Sequence, residues 1–166
     1  YRPVFGCEKP ALVYAGAIFG GLSWGGWPSA SITVAEPFDE QRARIAAARP
    51  GIRLLAKADA SLRDADLVVW AVKPQSFALA ARNSVPHVAQ ALHLSVMAGI
   101  RTDSIAAAIG ATRIVRAMPN TPALVGSSAA GFALGKSATR ADGDLAQRLF
   151  SAVGVAFQLK ESLLDA

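Results

Sequence analysis

The sequence predicts a doubly wound α/β domain on a mostly parallel sheet. Three observations predict it. Short apolar, β-branched runs at 32–35, 67–71, 92–97 and 113–118 alternate with stretches of helical periodicity. The runs are nearly continuously apolar, not alternating, which is the pattern of strands covered on both faces. Two of them empty abruptly into proline and polar groups: LVVWAVKPQ at 67–75 and RIVRAMPNTPALV at 113–125. Strand ends of that kind border the ligand crevice of an open parallel sheet.

Taken in order, residues 4–6 read as a short strand. Residues 11–22 are small and apolar, as in a helix packed closely on a sheet. Residues 23–31, SWGGWPSAS, are a turn, because Gly25, Gly26 and Pro28 break helix. The strand at 32–35 ends at Glu36-Pro37. A helix follows over 39–49, with Asp39 and Glu40 in its first turn complementing the helix dipole; Pro50-Gly51 stops it. Residues 52–55 are a short strand, 60–64 a helical turn with Asp64 and Asp66 as cap and turn residues, and 67–71 the next strand. Helical spacing over 76–90 is interrupted near Pro86. The strand at 92–97 ends at Ala98-Gly99. A helix over 102–109 has Thr102 as its cap and Gly110 as its stop. After the strand at 113–118, residues 126–134 give a weaker strand signal. A helix over 139–153 is capped by Thr139 or Asp142, residues 155–159 form a last strand, and 161–166 begin another element. There is no internal repeat and no low-complexity linker.

Composition narrows the function classes. The 166 residues suit one domain. Hydrophobic residues make up 52% and charged residues 17%, so a core is assured and part of the surface is expected to be apolar and covered by something else. No run of about 18 apolar residues is free of proline, clustered glycine or charge, so no membrane span is expected. The start is not read as a signal peptide, since Glu8-Lys9-Pro10 interrupts it. One cysteine, Cys7, excludes an internal disulfide and a cysteine-based zinc site, and suits a reducing cytoplasm. The net charge of +5 comes from dispersed arginines, not a basic run with interleaved aromatics, which speaks against nucleic acid and fits a phosphate-bearing small ligand.

The chemistry-bearing residues lie at strand ends. Ala71, Val72, Lys73 and Pro74 offer small residues, backbone groups and one ammonium. Ala98 and Gly99 offer a backbone that a ligand can approach closely. Asn120 and Thr121, between Pro119 and Pro122, offer an amide and a hydroxyl on a stiff loop, as the positioning of a carboxamide or ribose requires. Each turn by itself is also ordinary loop punctuation; three at successive strand ends favour a site. Glu36 ends the second strand, where an acid receives the ribose 2′-OH of a dinucleotide and disfavours a 2′-phosphate; the plainer reading is a solvent-facing turn charge. Arg42 and Arg44 are the nearby alternatives for a phosphate. No G-x-G-x-x-G follows residues 4–6. Cys7, His87 and His93 read as structural or exposed, and no metal pattern is present. Trp24 and Trp27 read as turn residues packing on the sheet or a partner. Arg116, inside an apolar strand, needs a carboxylate partner or an interface.

AVKPQ at 71–75, SVMAGI at 95–100 and VRAMPNTPALVG at 115–126, with ITVAEP at 32–37 and the tail ESLLDA, resemble the amino-terminal domain of pyrroline-5-carboxylate reductase. The resemblance covers about 15–166. It implies a Rossmann-like fold and NADPH- or NADH-dependent reduction of the cyclic imine Δ1-pyrroline-5-carboxylate to L-proline. By this resemblance, Ala71–Pro74 match the family's cofactor segment. Ala98, Gly99, Asn120 and Thr121 match its nicotinamide side, and Glu36 falls where the adenosine ribose or its phosphate is met. Ala58 stands where many members carry an asparagine near the cofactor.

Two departures qualify the resemblance. The family's glycine-rich loop would align with 9–14, KPALVY. The helical carboxyl-terminal domain, which dimerises and supplies most of the imino-acid site, is missing from the sequence. Residues 1–160 are therefore expected to be the dinucleotide-binding domain and 161–166 the start of the absent one. A homo-oligomer is implied for full-length members but not for this chain, of which little or no reductase activity is expected. Two alternatives stand beside the reductase: a non-catalytic dinucleotide-binding module or degenerate remnant, and another nicotinamide reductase of similar fold, such as a coenzyme-F420-dependent type.

Overall fold

The structure, a computed structural model, describes residues 11–14 and 27–165. Among the described residues, eight strands form one sheet in the order β3-β2-β1-β4-β5-β6-β7-β8. They are β1 (Ala11–Tyr14), β2 (Ile32–Ala35), β3 (Arg53–Leu55), β4 (Leu67–Trp70), β5 (Leu92–Ser95), β6 (Ile114–Met118), β7 (Ser128–Leu134) and β8 (Gly154–Gln158). From β3 to β6 every pairing is parallel; β7 is antiparallel to β6, and β8 parallel to β7. Four helices accompany them: α1 (Asp39–Ala48), α2 (Phe77–Val88), α3 (Thr102–Ile109) and α4 (Arg140–Ser151).

The central strands β2, β4, β5 and β6 are buried along almost their whole length because both faces of the sheet are covered. Leu67, Val69, Leu92, Leu94 and Val115 face a core closed by Ile45 of α1, by Leu149 and Phe150 of α4, and by the buried Trp27. Val68, Trp70 and Ile114 face the other core, closed by Phe77, Ala81 and Val88 of α2 and Ile105 and Ile109 of α3. This is the doubly wound arrangement the sequence predicts. The two strands beyond β6 show period-two burial: Ser128, Ala130 and Phe132 of β7 are buried with Ala129 exposed between the first two, and Ala156 of β8 is buried with Val155 and Phe157 exposed on either side of it.

Helix punctuation follows local chemistry. Thr139 caps α4 and forms a reciprocal capping box with Asp142. Gly110 ends α3 at φ 66°, a left-handed conformation that glycine adopts without steric penalty.

Three expectations need correction. Residues 11–14 are a strand, not the start of a helix over 11–22, and β1 sits mid-sheet with β2 and β4 on its two sides. Short apolar runs carry no periodicity to tell strand from helix, and ladder pairing on both sides decides the matter. The segment aligned with the glycine-rich loop, 9–14, is accordingly strand over its last four residues; the proposed strand at 4–6 and residues 15–22 lie outside the described residues, as do Cys7 and Trp24. Helix α2 runs through Pro86 to Val88, because a proline in the last turn deletes one intrahelical bond without breaking the remainder. Thr102 does not cap α3: Arg101 holds the cap position without a side-chain bond, and Thr102 is bound by a distant carboxylate.

Candidate functional site

The parallel strands end on one line. Ala35, Tyr14, Trp70, Ser95 and Arg116 are register partners across β2, β1, β4, β5 and β6. The residues that follow therefore leave the sheet along one edge: Glu36, Ala71 and Val96 at the line itself. Strand β6 continues two residues past the line to Met118, roughly 7 Å at about 3.3 Å per residue, before the turn that carries Asn120 and Thr121. Strand β1 has β2 on one side and β4 on the other, which makes their boundary the switch point where such sheets open a crevice.

At the β2 end Glu36 is 7% exposed, so the reading as a solvent-facing charge does not hold. Its N–H donates to the Leu55 carbonyl at 2.9 Å, and its Oε1 accepts the Phe38 N–H at 3.0 Å. These two bonds fix both backbone and rotamer. Arg42 donates to the Glu36 carbonyl at 2.6 Å and pairs with Asp39, while Arg44 pairs with Glu40 at 2.6 Å. Both arginines are thus engaged within the α1 region. Phe38, which the sequence reading passed over, is 71% exposed directly beside Glu36. A large exposed aromatic between a proline and an acidic helix start is the signal that marks it.

At the β4 end Ala71 and Val72 are half-buried, each packed on a different core, and Lys73 and Pro74 are exposed at the start of a 3₁₀ turn, Pro74–Ser76. Ala58 is buried in the apolar cluster with Leu62, Trp70 and Phe77. At the β5 end Ala98 and Gly99 are exposed. Gly99 has φ 72°, and a Cβ there would meet nothing within 4 Å, so backbone conformation, not space, calls for glycine.

At the β6 end Asn120 is tied down. Its Oδ1 accepts Ser128 Oγ at 3.0 Å and the Ala129 N–H at 3.1 Å. A backbone N–H can only meet the amide oxygen, so the amide orientation is settled and its NH₂ faces away from these partners. Thr121 is exposed and opens a 3₁₀ turn, Thr121–Val125, closed by Gly126 at φ 72°. The sheet edge thus brings Glu36, Ala71–Pro74, Ala98-Gly99 and Asn120-Thr121 to one side, and leaves Ala58 with only its backbone to offer a ligand.

Beneath the edge the structure adds long-range partners that local sequence does not reveal. Arg116, 0% exposed, has the carboxylate partners its position demands: Asp165 and, at 3.7 Å, Glu161. The guanidinium of Arg116 holds the Asp165 carboxyl below its usual range, chiefly through their hydrogen bond. His93 is fully buried, and its Nδ1 accepts Trp70 Nε1 at 3.1 Å. Burial, then the Arg113 charge, push His93 down to about 4 against an opposing Val88 backbone bond, so the imidazole is neutral at pH 7. Among the described residues no group of three His, Cys, Asp or Glu is placed to hold a metal, and no helix is long and apolar enough to cross a membrane.

No family model matches the chain. A pyrroline-5-carboxylate reductase from Pseudomonas aeruginosa is 37% identical over 168 residues, covering 96% of this chain and 61% of that relative. The chain spans roughly half the length of the relatives it matches, 45% for the Methanosarcina acetivorans reductase, which is 39% identical over 121 residues. Among solved structures, a pyrroline-5-carboxylate reductase from Coxiella burnetii superposes with a TM-score of 0.81 at 23% identity, over 92% of this chain and 59% of that one. At that identity the superposition establishes the fold alone.

Proposed function

The chain is related to the pyrroline-5-carboxylate reductases along their amino-terminal half, and from that premise we propose that it supplies the cofactor-binding half of an NADPH- or NADH-dependent reduction of Δ1-pyrroline-5-carboxylate to L-proline. The observation that carries the reading is the assembly of Glu36, Ala71–Pro74, Ala98-Gly99 and Asn120-Thr121 along one edge of a sheet in the order 3-2-1-4-5-6. The bound cofactor supplies a hydride from nicotinamide C4 to the imine carbon.

The residues present fit a dinucleotide. The buried, rotamer-fixed Glu36 carboxylate receives a ribose hydroxyl, and the exposed Phe38 ring stacks on adenine. Ala71 and Val72 present backbone to the middle of the cofactor, with the Lys73 ammonium beside it. Ala98 and Gly99 admit the nicotinamide ring closely, and the Asn120 NH₂ and Thr121 hydroxyl hold its carboxamide and ribose. In this reading residues 1–160 are the dinucleotide-binding domain, the substrate is a small imino acid and the setting is cytoplasmic.

Titration of the chain with NADPH and with NADH, followed by nicotinamide fluorescence, tests the proposal. Saturable binding below millimolar concentration is expected for at least one of them. Undetectable binding of both at millimolar cofactor overturns it. Nucleotide oxidation on adding the imine is read next: little or none is expected of the cofactor-binding half alone, and turnover at rates typical of an enzyme overturns that part of the reading.

A further inference from the structure

We propose that Arg116, Glu161 and Thr102 form a positioning relay that locks the two turns Ala98-Gly99 and Asn120-Thr121 against each other; the inference rests on the dinucleotide reading of those turns. The residues come from three remote parts of the chain. Arg116 lies on β6, four residues before Asn120. Thr102 opens α3, three residues after Gly99. Glu161 lies in the 3₁₀ turn Glu161–Leu163 that follows β8.

Glu161 grips Thr102 at two points. Its Oε1 accepts the Thr102 N–H at 2.7 Å and its Oε2 accepts the Thr102 hydroxyl at 2.8 Å, across 59 residues of sequence. The α3 cap residue, Arg101, makes no side-chain cap bond, so Glu161 performs the capping that a local serine or aspartate ordinarily performs. Its charge also suits the positive end of the helix. The same carboxylate stands 3.7 Å from the fully buried Arg116 guanidinium. Arg116 in turn donates to Asp165 through Nη1 at 2.9 Å and through Nη2. A buried guanidinium stripped of water requires such partners, so any displacement of Glu161 exacts a response at Arg116.

The segment that carries both carboxylates is itself seated. Leu164 is 7% exposed and packs over Gly131 of β7, where an added Cβ would lie 2.8 Å from Leu164 Cδ2 and 3.0 Å from Leu159 Cδ1. The 161–165 segment is thus held flat on the sheet, close enough for Glu161 to reach α3 and for Asp165 to reach β6. The β5 turn enters α3 through the residue Glu161 holds, and the β6 turn leaves the strand through the residue Glu161 faces. The relay thereby sets the spacing of the two turns between which a nicotinamide would sit, and none of its members needs to touch the ligand.

The test compares Glu161→Ala, Glu161→Gln and, as a control for plain destabilisation, Leu149→Ala in the α4 core. Amide hydrogen exchange on the nucleotide-free chain is read first. Glu161→Ala is expected to speed exchange at 99–103 and also at 119–123, while Leu149→Ala with an equal or larger fall in Tm does not accelerate these two segments selectively. Titration with NADPH and NADH is read second: affinity is expected to fall about tenfold in Glu161→Ala, since small misplacements at a binding site are costly. Glu161→Gln, which keeps one acceptor for Thr102, recovers part of both effects. Should Glu161→Ala not fold, Thr102→Val, which removes only the hydroxyl contact, is judged by the same criteria. Acceleration confined to 99–103 or to the 159–165 tail overturns the relay, as does an affinity within twofold of wild type. If wild type binds neither nucleotide, the functional reading falls, and the exchange arm still decides whether the two turns are coupled.

Discussion

Acidification should weaken the fold through one residue, His93. The imidazole is fully buried between β4 and β6, and its Nδ1 is the acceptor for Trp70 Nε1–H at 3.1 Å. A second proton would have to sit on Nδ1, opposite a donor that cannot reverse, since indole nitrogen only donates. Folding therefore lowers the proton affinity of His93, from 6.5 to about 4, mainly through burial. The sign follows from linkage. The unfolded chain takes up the proton first as pH drops through 6.5, so the stabilising contribution is complete above that pH, shrinks down to about 4, and is constant below it. A gap of that size is worth about 3 kcal/mol, at about 1.4 kcal/mol for each tenfold change in proton affinity. Urea unfolding followed by circular dichroism between pH 7 and pH 4 measures it, with His93→Gln as reference, because a glutamine amide still accepts from Trp70 and does not titrate. Wild type should lose about 3 kcal/mol relative to His93→Gln over this window. Carboxylates cancel in the comparison, since both proteins share them. Parallel curves for the two proteins would refute the reasoning.

Three further outcomes are expected. Asp142→Ala removes the Arg113 pair, at 2.6 and 3.1 Å, together with the side-chain half of the capping box of α4, and should cost about 2 kcal/mol at pH 7 in urea unfolding. Burial raises the Asp142 carboxyl, but bonds from Arg113 and Thr139 outweigh it and leave it lowered; the wild-type advantage is therefore present above the ordinary carboxylate range and fades as pH falls below about 4. Gly154→Ala puts a Cβ 2.0 Å from the Ser128 carbonyl oxygen and 2.4 Å from its nitrogen, which prises β8 from β7 and should cost about 3 kcal/mol or more; a thermal midpoint close to wild type would contradict the packing. Asn120→Leu leaves the Ala129 N–H and Ser128 Oγ without their acceptor and should cost about 1–2 kcal/mol, measured by chemical unfolding, with weakened nucleotide binding in the fluorescence titration.

Much of the molecule is legible in short stretches because the physics there is local. The apolar runs at 32–35, 67–71, 92–97 and 113–118 read as doubly covered strands, and covered strands lie within them at 32–35, 67–70, 92–95 and 114–118. Thr139 and Asp142, three residues apart, read as the start of α4 because a capping box is made between neighbours. The polar strand ends are visible for the same reason: a turn and the strand that leads into it are contiguous. The misreadings have a common source as well. Residues 11–14 carry no periodicity of their own and become strand only because β2 and β4 lie on either side. Thr102 has the chemistry of a cap, yet its hydroxyl is taken by a residue 59 positions away.

The sequence by itself determined the alternation of strand and helix, the burial of both sheet faces and the identity of the turns at the strand ends. Only the tertiary structure decided that β1 is the mid-sheet segment at 11–14, that Glu36 is buried with a fixed rotamer, and that Arg116, Glu161 and Thr102 meet. Backbone and capping preferences act over a few residues, so they are written in short motifs. The pairings Trp70–His93, Arg116–Asp165 and Thr102–Glu161 span 23, 49 and 59 residues, and they exist because strand order brings β4, β5, β6 and the tail side by side, a geometry that no local stretch encodes.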